Sequence, residues 1–249
     1  YRVLQYALAV ILYVESAVIQ SGRNLLVSGG VIGAAPTPIQ CGGLFSCQFA
    51  QKAYVESIGD IVIHSSCMHS NMHTLGRIIL KSGKGVLVGG EVSAFRGGIV
   101  RQIGSPVGTP TRLILGEDFL CTRRIQEEEK QLGIWKNSLS KLEEYLFPLL
   151  KKIGTGYVLR EDQKFRLKQI IAKRDELLDL IKNSQLKIKR LRALAPESAE
   201  CHLRVLGTLY NDVQLRISGL PVVLEEHQTR IILELDRKNK TIIKKSLGL

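Results

Sequence analysis

The chain has 249 residues, 45% of them hydrophobic and 23% charged, so it can bury a sizeable core, and wholesale disorder is excluded. Its 35 Lys and Arg against 23 Asp and Glu give a net charge of +12, yet aromatics are only 6%, which is poor material for stacking bases. The five cysteines, Cys41, Cys47, Cys67, Cys121 and Cys201, form no CxxC pair, so a disulfide framework or zinc knuckle is not expected and a reducing compartment is.

The apolar stretch Val3 to Val14 is too short to span a bilayer and lacks the basic leader and cleavage site of a signal peptide. The chain opens on Tyr1, not Met, and reads as a fragment. Charge divides it into three segments. Residues 1–116 carry nine Lys/Arg and four Asp/Glu, residues 117–200 eighteen and fourteen, and residues 201–249 eight and five. The dense middle mixes both signs, as a solvated helical face does, and the positive excess is spread over all three parts. Nucleic acid is therefore not the expected partner.

The first segment repeats. Ile19-Gln-Ser-Gly-Arg-Asn-Leu-Leu-Val27 is matched by units beginning at Ile39, Val55 and Met72, and by a degenerate copy at Val92. The period is about 16–20 residues. Each unit alternates apolar and polar residues, passes a glycine turn and ends in a β-branched run, which argues strand–turn–strand. So short a unit buries its apolar face only by stacking on copies of itself, with roughly 4.8 Å between strands. The period fits one coil of a parallel β-helix; an antiparallel sandwich is the alternative. The aligned copies place Cys41 over Ser21 and Ser57, so the cysteines are expected as free thiols packed like small hydrophobes.

The second segment changes period. Ile125, Leu132, Leu139 and Leu146 are spaced by heptads, with Trp135, Leu142 and Leu149 at the complementary positions. After Gly154 and Gly156, a second seam runs through Leu167, Ile170, Leu177, Ile181, Ile188 and Leu191, interrupted by Arg174 and Ser184, and Pro196 ends it. Two arms joined by a short loop predict an antiparallel coiled-coil hairpin, a rod of roughly 50 Å. The register with the most apolar layers pairs Ile125 with Leu191, Trp135 with Ile181 and Leu149 with Leu167. It brings the ends of the insertion together near residues 120 and 196, so the strands ending near Leu115 and starting near Leu203 are expected in neighbouring coils. The third segment returns to β alternation from Leu203 to Ile217, with further strands at Val222 to Leu224 and Ile231 to Leu235. The expected division is thus 1–116 β-helix, 117–200 helical insertion and 201–249 closing β-helix.

Four motifs carry a family resemblance: Met68-His-Ser-Asn-Met72, Gly83-Lys-Gly-Val-Leu-Val-Gly-Gly-Glu-Val-Ser-Ala94, Ile103-Gly-Ser-Pro-Val-Gly-Thr109 and Val205-Leu-Gly-Thr-Leu-Tyr210. In this order around a coiled coil they resemble the flagellar assembly protein A family, FapA, over about residues 14 to 245. The resemblance implies a mainly β fold, a single-stranded right-handed parallel β-helix interrupted by an antiparallel α-helical coiled-coil hairpin. It also implies a cytoplasmic bacterial protein linked to flagellar assembly, with no established enzymatic activity. The chain departs from the family at Ile58, Leu75 and Phe95, where a corner glycine is expected. Ala35 to Pro38 and Gln48 to Lys52 look irregular, and the first coils are expected to be distorted.

Chemistry-bearing residues are few. His64, Cys67, His69 and His73 lie within ten residues, but strand alternation sends 64 and 69 to opposite faces unless a corner intervenes, so no metal site is assigned. Gly83-Lys84-Gly85 lacks the glycine at 78 and the Ser/Thr at 85 of a phosphate loop and reads as a tight corner. Glu15, Glu56, Asp60 and Glu91 are scattered over different coils, which disfavours a carbohydrate-active enzyme. Arg123-Arg124 and Lys187 to Arg192 form the densest basic patch. No catalytic, cofactor or metal residue is assigned. The expected function is a non-enzymatic assembly or regulatory protein whose arm meets protein partners. A self-associating scaffold, and more remotely a sugar-active enzyme relying on Glu91 or Asp60, are the alternatives.

Overall fold

The computed structural model describes residues 2–4, 8–33, 38–155, 158–196 and 201–247. The chain forms two compact units. One joins residues up to Phe119 to residues from Pro196 onward; the other runs from Leu120 to Ala195.

The first unit is a β-solenoid. Strands Ile19–Ser21, Pro38–Cys41, Tyr54–Ser57, Asn71–Thr74, Gly90–Ala94, Thr111–Leu115 and Val213–Ile217 stack in parallel as one sheet. Its register is that of the repeat: Ile19, Ile39, Val55, Met72 and Val92 lie one over the next. All five are buried, and the ladder continues in Leu113 and Leu215. The second sheet stacks Asn24–Ile32, Phe45–Gln51 and Ile61–Met68, again in parallel. These longer strands shift register between Val27 and Gly30 and between Cys47 and Phe49, so the wall bends there. Gln48 to Lys52, expected to be irregular, begins at that second shift in register, within the strand Phe45–Gln51, and ends at Lys52, whose φ is +52°. Of the other stretch expected to be irregular, Ala35 to Pro38, residues 35–37 lie outside the described residues and Pro38 opens a strand.

Between the sheets each coil turns a corner of a few residues. The corners approach so closely that a Cβ at Gly59 would lie 2.7 Å from the carbonyl carbon of Gly43. Side chains just before the corner hold it. The hydroxyls of Ser57 and Thr74 donate to the carbonyls of Gly43 and Gly59 in the coil before, and Cys41 Sγ donates to the carbonyl of Arg23 at 2.8 Å. Cys41 thus fills a hydroxyl position and acts as a donor, beyond the small hydrophobe expected of it. Asn24 and Asp60 complete the corner: their Oδ1 atoms accept from the backbone N–H of Leu44 and Arg77. The losses of glycine at Ile58 and Leu75 are tolerated because Gly59 and Gly76 follow them at the tight point, whereas Arg96 follows Phe95.

The helical insertion occupies one such corner. Thr111–Leu115 stacks on Gly90–Ala94, and after the insertion His202–Leu209 stacks on Gly97–Val100. The strands at its two ends are therefore the two walls of one coil, where neighbouring coils had been expected. Gly97 shows how tight that stack is: its φ is +81°, and a Cβ would lie 2.1 Å from the His202 carbonyl oxygen. Beyond Ile217 the parallel stacking stops. Leu220–Val222 folds back antiparallel on Val213–Ile217 over Ser218-Gly219, both at positive φ as a tight hairpin requires. Gln228–Asp236 pairs antiparallel with His202–Leu209, and Thr241–Ser246 pairs antiparallel with it in turn. Pro221 and the pair Lys244-Lys245 lie on these last strands, as residues that blunt a sheet edge do.

The second unit is a pair of helices, α1 (Phe119–Gly154) and α2 (Glu161–Leu194). Gln163 Oε1 accepts from the Arg160 backbone N–H, and Glu161 and Asp162 sit in the first turn of α2, where the helix dipole favours them. Along α1 the shielded residues Ile125, Glu128, Leu132, Trp135, Leu139, Leu142, Leu146 and Leu149 alternate three and four apart. Leu167, Ile170, Arg174, Leu177, Ile181, Ser184, Ile188 and Leu191 do the same on α2. Contacts join the start of α1 to the end of α2. Cys121 Sγ donates to the Leu191 carbonyl, Glu128 pairs with Lys187 and faces Ser184 Oγ, and Glu129 pairs with Arg192. A register that sets Ile125 against Leu191 brings these groups together.

Candidate functional site

In the solenoid, the outward residues of the first sheet form rows of their own. Gln20, Gln40, Glu56, His73 and Ser93 occupy successive rungs of one row. Gln20 Nε2 donates to Gln40 Oε1 at 2.8 Å, and Gln40 Nε2 to Glu56 Oε2 at 3.2 Å. The Tyr54 hydroxyl donates to the other Glu56 oxygen at 2.7 Å. The Tyr54 ring lies 5.5 Å from His73, and Phe119 stacks on the same imidazole at 5.6 Å with 29° between planes. Farther along, Arg112 bridges Glu91 and Gln214, and Arg216 pairs with Glu117.

Glu56, His73 and Ser93 are the residue types of a hydrolytic triad on adjacent rungs. Their surroundings fit a packed polar row better. Ser93 is 4% exposed and Glu56 9%, and the Phe119 ring stacks against the imidazole. The repeat held the signal for this row, since its second position reads Gln, Gln, Glu, His, Ser. The apolar ladder beside it is the more regular pattern and masks it.

The other candidates stand apart. His64 is exposed and within 3.3 Å of Ser46 Oγ, Cys67 is buried in the core, and His69 sits in a turn at φ +48°. His73 alone of the four joins the outer row. Among the described residues no cluster of three or more His, Cys, Asp or Glu could hold a metal ion. Gly83 and Gly85 have positive φ, and a Cβ on Gly85 would meet the Leu80 carbonyl oxygen at 2.5 Å, the geometry of a corner. Asp60 serves a corner through the Arg77 amide and Glu91 a surface ion pair, while Glu15 is exposed at the end of a short strand. In the basic patch, Lys187 and Arg192 are matched by Glu128 and Glu129.

All five cysteines are free. Burial pushes the Cys67 and Cys201 thiols up to about 12, and those of Cys41 and Cys47 upward as well. Burial favours the neutral thiol form of these four.

The hairpin presents a different surface. Outside its seam, Tyr145, Phe147, Leu150, Val158 and Phe165 are exposed, Phe147 by 71%. A groove of about 660 Å³ runs beside Leu146, Phe147 and Leu150, rimmed by Ser140, Glu143, Glu144 and Arg174. Heptad reasoning located the seam but not this second stripe, because two large residues one helical turn apart are too few to show a period. No helix among the described residues is long and apolar enough to cross a membrane.

Parallel coils, a corner insertion of two helices and antiparallel closing strands define a β-solenoid protein with an inserted helical hairpin. The family model for the Flagellar Assembly Protein A beta solenoid domain matches residues 12–242, and the chain belongs to that family. No curated protein and no solved structure matches it.

Proposed function

We propose that this chain is a non-enzymatic assembly or regulatory protein of flagellar assembly, working in the bacterial cytoplasm. The solenoid, divided as 1–116 and 201–249, is its rigid platform, and the hairpin of 117–200 is the arm that contacts protein partners. The observation that carries this reading is the surplus of apolar surface on the hairpin. Its seam is already filled, yet Tyr145, Phe147 and Phe165 remain exposed. The packed outer row of the solenoid supports a structural role for that unit.

The test compares the full chain with a variant whose residues 120–195 are replaced by a short Gly/Ser linker. Both are used as bait in extracts of the source cell, with circular dichroism to verify the solenoid. A partner that co-purifies with the full chain and is lost with the arm supports the reading. A partner retained by the armless variant moves recognition to the solenoid and defeats it. Light scattering across concentration addresses the self-associating scaffold, which requires mass to grow with concentration.

A further inference from the structure

The hairpin groove is assembled on one flank of the seam. On α1, residues 143 and 150 follow the seam residues Leu142 and Leu149, and Ser140 and Phe147 lie one helical step farther out. On α2, Ile171 and Leu178 follow the seam residues Ile170 and Leu177 in the same way. The Glu129–Arg192 pair shows that these two flanks face each other, because Glu129 and Arg192 occupy the equivalent positions nearer the start of α1. The face therefore gathers Phe147, Leu150, Ile171 and Leu178 on two adjoining helices. Phe147 is 71% exposed, Leu150 and Leu178 44% each. A two-helix face of this kind is the seat a third helix takes in a bundle.

The charge around the groove selects among helices. Arg174 is already matched, its Nε and Nη2 donating to Asp175 Oδ1 at 3.1 and 2.8 Å. Glu143 and Glu144 make no ion pair among the described residues, and both line the groove. The groove thus offers apolar surface edged by two carboxylates. A second copy of the chain fits poorly, since each copy carries a net charge of +12 and an isologous pairing would bring like faces together.

The geometry points to a docking site for an amphipathic helix of a protein partner. That helix presents an apolar stripe to Phe147, Leu150 and Leu178, with Lys or Arg residues flanking the stripe to meet Glu143 and Glu144. The assignment rests on the reading of the hairpin as a partner-binding arm and names the part of the arm that binds.

The experiment places a photo-crosslinking amino acid at Ser140, on the groove, or at Lys189, exposed near the end of α2, in the full chain expressed in its own cell. Crosslinked peptides are then sequenced. The expected product at Ser140 is one amphipathic segment bearing flanking Lys or Arg. Its yield should fall at least tenfold in Phe147→Glu, an exposed substitution that leaves the helical circular dichroism intact, and at least fivefold in Glu143→Lys/Glu144→Lys. A Ser140 product from the same chain assigns the face to self-association and overturns the proposal, and so does a product with an acidic or non-helical segment, or with lipid. Partner crosslinks at Lys189 with none at Ser140 overturn the groove but keep the arm. Crosslinks at neither position remove both.

Discussion

The solenoid and the hairpin hide their apolar residues to different depths. In the solenoid Leu25, Phe45, Ile61 and Leu113 have no exposed surface, because each is enclosed by the two sheets and by the coils before and after it. In the hairpin only Leu146, Leu177, Ile181 and Ile188 are buried among the apolar seam residues, since two helices shield a seam from two sides and leave its flanks open. The difference shows which unit is self-sufficient. Stacking completes a solenoid coil, whereas a two-helix seam keeps room for a third element. The contrast is what the proposed division of labour, platform and arm, rests on.

Four substitutions or conditions break or sharpen this contrast. The largest effect is expected from Phe45→Ala, which empties a fully enclosed site and should cost about 3–5 kcal/mol of solenoid stability. Urea unfolding followed by the β signal measures it; a loss below about 1 kcal/mol would mean that the coils collapse around the gap. Leu146→Ala should cost about 2–4 kcal/mol, but in the hairpin alone. Helical circular dichroism at 222 nm should melt earlier while the β transition stays in place. A shared shift of both transitions would show that the two units do not fold independently.

Thr74→Val removes a hydroxyl that bonds the Gly59 carbonyl and accepts from the Gly76 amide, leaving both buried groups without it. About 1–3 kcal/mol should be lost. Hydrogen exchange at the Gly76 amide locates the loss, and unchanged protection there would remove the corner role. The smallest effect concerns pH. Cys67 and Cys201 titrate near 12 in the folded chain against about 9 when exposed, because burial disfavours the thiolate. The unfolded chain therefore releases these protons first. Their contribution is fully present below pH 9 and lost progressively between pH 9 and 12, about 1 kcal/mol per thiol by pH 9.5. Urea midpoints at pH 8 and 9.5 should fall more for the native chain than for Cys67→Ala/Cys201→Ala; equal falls would count against the buried thiols.

Much of this architecture could be read from the residues. The repeat at Ile19, Ile39, Val55, Met72 and Val92 encodes the stacking register itself, because each coil must set its inward residue on the one before. Heptads from Ile125 to Leu149 gave the seam for the same reason, as burial repeats with the helix. The antiparallel closing strands were not readable as such. Strands alternate inward and outward whichever way they run, so Gln228–Asp236 has the same pattern in either direction. The outer row through Glu56, His73 and Ser93 needed knowledge of which residues share a rung, and the hairpin groove needed both helices in place.

The corner insertion has a mechanical consequence. Both covalent links to the hairpin leave from one coil, through Leu115 and His202. Neither strand lies at a sheet edge: Thr111–Leu115 is held between Gly90–Ala94 and Val213–Ile217, and His202–Leu209 between Gly97–Val100 and Gln228–Asp236. Tension applied to the hairpin would enter the solenoid through strands bonded on both sides, with no free edge strand to peel first.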